Sequence, residues 1–149
     1  MIRVSIPVEP HVLKYLNQRY GAAHTVSLRS FIGKEVIEAL QKNYEKPDMK
    51  LDRVNLYTLF IPEFYFKKRG HSVARNTRQH LGISMGILFD ENMCSYLDIQ
   101  VSKGKKALPE LKAFLRFHNI TEDDVKVETL YKVYQRHCKQ GIKAQKKIA

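Results

Sequence analysis

Val127, Leu130, Tyr131, Tyr134 and Cys138 recur at three- and four-residue steps, and this spacing writes one apolar stripe along a helix. A stripe of this kind has to dock, so it dictates that the tail folds back onto another element. Thr121 is placed to cap the helix, its hydroxyl accepting from a free backbone N–H, and Glu122, Asp123 and Asp124 follow in the expected first turn. Lys132, Arg136, Lys139 and Lys143 stand four, three and four residues apart and share a face beside the stripe. Gly141 weakens the helix, and its order is expected to fade beyond about that point.

The segment before the tail offers the docking partner. Leu108, Leu111, Ala113, Phe114, Leu115 and Phe117 have helical spacing, with Pro109 tolerated in the first turn. His118 to Thr121 then forms a short link, which would make the two helices close neighbours. Two helices joined by a short turn, the second of them basic, read as helix-turn-helix-like and point to DNA.

Charge strengthens that expectation because of where it sits. The formal net charge is +11. Residues 1–62 hold nine Lys and Arg against six acids, and residues 63–80 hold five against one. Residues 81–101 hold three acids and no Lys or Arg, whereas residues 102–149 hold twelve basic residues against five acids. Clustering of this kind is the footprint of a polyanion binder. Within the second segment Lys67, Lys68 and Arg69 run into Gly70, His71 and Ser72, read as a basic loop ending at a helix cap. Such a loop would put free N–H groups and positive charge beside a phosphate. Arg75 and Arg78 continue the charge into the helix that follows.

The rest of the chain supplies a frame. Arg3 to Val8 alternates as a strand with Val4 and Ile6 on one face. A helix follows from Pro10, with Val12, Leu13, Leu16 and Tyr20 on its apolar side and Gly21 as its C-cap. Ala22 to Ser27 is a polar link. A second helix, capped by Ser27, buries Leu28, Phe31, Ile32, Val36, Ile37 and Leu40. Asn43 to Asp52 reads as a loop, and Arg53 to Ile61 as a strand buried on both faces. Pro62 ends it, and Glu63 to Lys68 is expected as a bent edge strand or hairpin arm. From Val73 through Leu97 the pattern is helical, and Gly82 and Gly86 fit either one long helix closely approached by another backbone or two shorter ones.

Catalytic chemistry has no visible carrier. No HExxH, paired CxxC, GxSxG, GxGxxG or GxxxxGK[ST] pattern occurs, so neither a cofactor, a metal nor an enzymatic activity is expected. No run of about eighteen apolar residues occurs, so no membrane span is expected. The opening MIRVSIPVEPH lacks the apolar core of a signal peptide. Cys94 and Cys138 are too few for a disulfide framework, so a reduced cytoplasmic chain, nucleoid association included, is expected.

These readings combine into an α+β chain. Residues 1–70 form a small unit with a sheet and two helices; residues 71–149 form a helical, basic unit, and the two may share one core. The expected function is DNA binding as a regulator or accessory factor of transcription, with Lys132, Arg136, Lys139 and Lys143 facing the duplex. Lys67, Lys68, Arg69, Arg75 and Arg78 would add phosphate contacts. The alternatives are a module docking an acidic protein partner or a second copy, and an RNA binder stacking bases on Tyr65 at the sheet.

Overall fold

The computed structural model describes residues 1–42 and 55–148. They form a mixed α+β fold with one three-stranded sheet, six helices and a helical C-terminal half. Two compact units divide at residues 87 and 88, whereas composition divides the chain at 70 and 71. The loop read at Asn43 to Asp52, with Arg53 and Val54 of the strand after it, lies outside the described residues. Among the described residues no helix is long and apolar enough to cross a membrane.

In the first unit β1 (Ile2–Pro7) and β3 (Leu56–Ile61) pair antiparallel, with Val4 opposite Leu59 and Ile6 opposite Tyr57. These side chains share one face and are buried, as alternation in a strand requires. β3 itself alternates: Tyr57, Leu59 and Ile61 are buried, Leu56 is exposed, and Thr58 and Phe60 are half-buried. The expectation of a strand buried on both faces is therefore corrected, because this sheet keeps one face for the core. Inside that core the Tyr57 hydroxyl donates to the Gly21 carbonyl at 3.0 Å, and burial pushes its pKa up to about 12.

A third strand, β2 (Ala23–Thr25), runs parallel to β3 along its other edge. Ala-His-Thr has no apolar alternation, so the sequence read it as a link; backbone pairing to β3 makes it a strand. α1 (Pro10–Tyr20) starts with Pro10 in its first turn and stops at Gly21, buying its place with Val12, Tyr15 and Leu16. α2 (Phe31–Glu38) is capped by Ser30, whose hydroxyl accepts from Gly33 N–H at 3.0 Å, not by Ser27. The three-residue shift leaves Leu28 and Phe31 exposed, while Ile32, Val36, Ile37 and Leu40 are buried as expected.

Glu63 to Arg69 is a helix, α3, where a strand arm was expected. Aromatic residues favour strands, but the local signals favour a helix. Pro62 enters with φ −60°, Glu63 sits in the first turn, and Lys67 pairs with Glu63 one turn away. Lys67, Lys68 and Arg69 fill the last turn, where cations meet the negative end of the helix dipole. Gly70 stops α3 with φ 114°, a backbone state that favours glycine, and packs against the Gln41–Lys42 backbone. Ser72 lies three residues before the following helix and is bonded to Gln41. Its N–H and carbonyl pair with Gln41, its hydroxyl donates to the Gln41 carbonyl at 3.2 Å, and α4 starts at Arg75.

α4 (Arg75–Ser102) is one helix of 28 residues, which resolves the choice left by Gly82 and Gly86. Gly82 meets the Pro7 carbonyl so closely that a Cβ has no room, while the space at Gly86 is open.

The second unit holds the rest of α4, α5 (Ala107–Phe117) and α6 (Val127–Ile148). Phe89, Met93 and Leu97 recur every four residues along α4 and are fully buried. Leu111, Phe114 and Leu115 of α5 and Leu130 and Tyr134 of α6 complete this core. Phe114 sits at its centre, with ring centroids 5.9 Å from Phe89 and 5.4 Å from Tyr96. Asn119, at φ 56°, ends α5 in the left-handed conformation that Asn tolerates. The link to α6 runs through residues 118–126, longer than the three or four residues of a helix-turn-helix turn. Thr121 opens a turn in this link and does not cap α6: its N–H donates to Asp124 Oδ2 at 2.8 Å.

Gly82→Ala is expected to destabilise the protein by about 1–3 kcal/mol through collision with Pro7. Gly86→Ala, on the same helix in open space, should stabilise it by roughly 0.5–1 kcal/mol. Urea unfolding of the two variants beside the parent checks both signs.

Candidate nucleic-acid interface

Where α6 points its cations depends on how it is docked. Of the predicted stripe, Leu130 and Tyr134 are buried and Val127, Tyr131 and Cys138 are half-buried. Two polar bonds supplement this contact. Tyr134 Oη donates to Asp98 Oδ1 at 3.1 Å, and His137 Nε2 lies 2.7 Å from Asp98 Oδ2. One carboxylate on α4 therefore holds two residues nearly a turn apart on α6. Burial, Cys138 and Asp98 together raise the Tyr134 phenol far above its ordinary range, keeping it a neutral donor. The Tyr134 and His137 rings stack at 6.0 Å.

With that docking, Lys132, Arg136, Lys139 and Lys143 fall within about 60° of arc on the side away from Leu130 and Tyr134, at 3.6 residues per turn. All four are exposed. The structure thus brings these four together, opposite the buried residues where the sequence reading put them beside the stripe. Lys132 reaches Glu128 at 3.1 Å, an exposed pair of little strength.

Arg136 also borders a groove of about 540 Å³ between α4 and α6, whose lining includes Asp90, Glu91, Cys94, Val133, His137 and Gln140. Burial raises the Asp90 carboxyl above its ordinary value, and the Arg136 cation acts in the opposite direction. Burial, then Asp90 and Asp98, push the Cys94 thiol up to about 11, so it rests as an unreactive thiol. Cys94 and Cys138 are both free. No group of three or more His, Cys, Asp and Glu side chains among the described residues is arranged to hold a metal ion.

α6 does not fade at Gly141. It continues to Ile148, and Lys146 and Lys147 extend the same cationic side. The sequence reading missed these two by stopping at the glycine, although Lys, Ala and Gln after it all favour a helix. Along all of α6 the only acid is Glu128.

The second predicted group lies in the other unit. Lys67, Lys68 and Arg69 are exposed on the last turn of α3, Arg75 is exposed at the start of α4, and Arg78 is half-buried. The end of α3, where Lys67, Lys68 and Arg69 stand, presents carbonyls rather than N–H groups, and Ser72 is bonded to Gln41. Tyr65, with Phe64 and Phe66, is on α3 and not on the sheet, which corrects its placement as a stacking platform. Comparisons with family models, curated proteins and solved structures find no match for this chain.

Removing the Asp98 acceptor with Asp98→Ala is expected to cost about 1–3 kcal/mol, because it strands the part-buried Tyr134 hydroxyl. Tyr134→Phe, which removes the donor as well as the need for it, should cost only about 1 kcal/mol. Chemical denaturation followed by circular dichroism ranks the two.

Proposed function

We propose that this chain is a DNA-binding protein that engages duplex DNA through the exposed cationic side of α6, acting as a regulator or accessory factor. The observation that supports this reading is the alignment of Lys132, Arg136, Lys139 and Lys143 opposite the docked side of a helix whose only acid is Glu128. Polyanions are bound by releasing their counterions to such a row of cations, each contacted phosphate adding to the affinity and to its salt dependence. Phosphate contacts orient the protein along the duplex and carry no sequence information themselves. Lys67, Lys68, Arg69 and Arg75 offer further exposed cations from the first unit.

Asp90 tempers this surface. Its carboxylate attracts Arg136, so a phosphate has to compete with it.

Titrating a labelled random duplex with protein, followed by fluorescence anisotropy between about 50 and 200 mM salt, should give affinities that fall steeply with salt. Changing Lys132, Arg136, Lys139 and Lys143 together to Ala should lower the slope of log affinity on log salt by about 2 to 4, according to how many of them meet phosphates. An unchanged slope, or no duplex binding at low salt, overturns the proposal. A matched single strand binding more tightly would turn it to RNA-type recognition. Asp90→Asn is expected to strengthen duplex binding by about two- to fivefold, the worth of one weak charge pair at the surface, in the same assay.

A further inference from the structure

Docking accounts for only the first half of α6. From Lys139 to Ile148 every residue is exposed, on all sides of the helix. At 1.5 Å per residue this free segment is about 15 Å long, and with side chains about 10–12 Å across. The major groove of B-DNA is about 12 Å wide and admits one helix. A helix backed by protein along its whole length can rest its outer side on phosphates, but its flanks are obstructed. Here Gln140 still lines the groove against α4, but from Gly141 to Ile148 the helix is exposed on both flanks and its back, as the walls of a DNA groove require.

The charges are arranged for the same fit. Lys139 and Lys143 lie near the middle of the cationic side, while Lys146 and Lys147 diverge to its two edges, about 100° apart around the axis. None of the four forms an ion pair among the described residues, and residues 139–148 contain no acid. That excess of positive charge opposes pairing of this segment with a second copy of itself. Ile142 and Ile148 are its only large apolar residues, too few for the apolar side of a membrane-surface helix.

We propose that residues 139–148 of α6 enter the major groove of duplex DNA. In this arrangement Lys139 and Lys143 reach base edges, with guanine N7 and O6 as the acceptors suited to a cationic donor. Lys146 and Lys147 contact the phosphates of the two strands that form the groove walls. The inference rests on the proposed duplex binding, and adds the groove, the preferred base and a division of labour among the lysines.

The test compares the full chain on two duplexes of identical sequence, one of them with guanine replaced by 7-deazaguanine. This substitution removes the N7 acceptor from the major groove and leaves every phosphate in place. The parent protein should bind the substituted duplex at least about fivefold more weakly, with the same salt slope. Lys139→Ala with Lys143→Ala should abolish that difference. Lys146→Ala with Lys147→Ala should retain it and lower the salt slope by about 2. All four positions are exposed and alanine is a strong helix former, so circular dichroism should show folding unchanged. Equal, salt-sensitive affinity for both duplexes would overturn groove entry while leaving duplex binding intact. Absence of binding to either duplex would overturn both, as would binding only to vesicles containing phosphatidylserine.

Discussion

The Asp98 carboxylate accepts from Tyr134 and lies against His137, three residues further along α6, and through that pair it sets the rotation of the helix about its own axis. Apolar contact at Leu130 and Tyr134 holds α6 against its unit but is tolerant of small rotations, since hydrophobic attraction has no direction. Hydrogen bonds do have direction. With both oxygens of one carboxylate engaged, the cations four and three residues apart can only face solvent. The acidic stretch of α4, which has no Lys or Arg between residues 79 and 101, thus serves to place the basic one.

The docked half of α6 also explains how its free half persists. Starting a helix in water is unfavourable, because several residues must be ordered for the first hydrogen bond, whereas extending one adds a bond for each residue fixed. Val127 to Cys138 bears that initial cost against the core, and Lys139 to Ile148 only propagates it. A single glycine costs about 1 kcal/mol relative to alanine, which slows propagation without forbidding it. Repulsion among the lysines works against the segment as well, and a bound polyanion would relieve it.

Cations at the end of α3 have a different setting. Lys67, Lys68 and Arg69 form the last turn of a helix whose final carbonyls are negative, and they compensate that charge locally. The same residues placed before a helix would have joined its free N–H groups in attracting an anion. Identical composition on either side of a helix terminus therefore has opposite meaning. Only the position of the terminus, five residues beyond Gly70 in the case of Arg75, distinguishes them.

Periodicity and stop signals were sufficient for much of this fold. Val4 and Ile6 alternate, Pro10 and Gly21 bracket α1, and the four-residue steps through Phe89, Met93 and Leu97 mark α4, all from local rules. The spacing of Lys132, Arg136, Lys139 and Lys143 likewise determined that they share a side of one helix. Tertiary structure decided the rest. β2 exists because β3 offers it a backbone edge, and Ser72 is bridged to Gln41 from 31 residues away. Asp98 meets Tyr134 and His137 from 36 and 39 residues away, a contact no spacing rule contains. The sequence by itself determined which residues ride together on each helix, since that follows from the helical repeat alone. Which side of each helix meets the core and which meets water was decided by partners distant along the chain, because burial and directed hydrogen bonds are properties of the assembled fold.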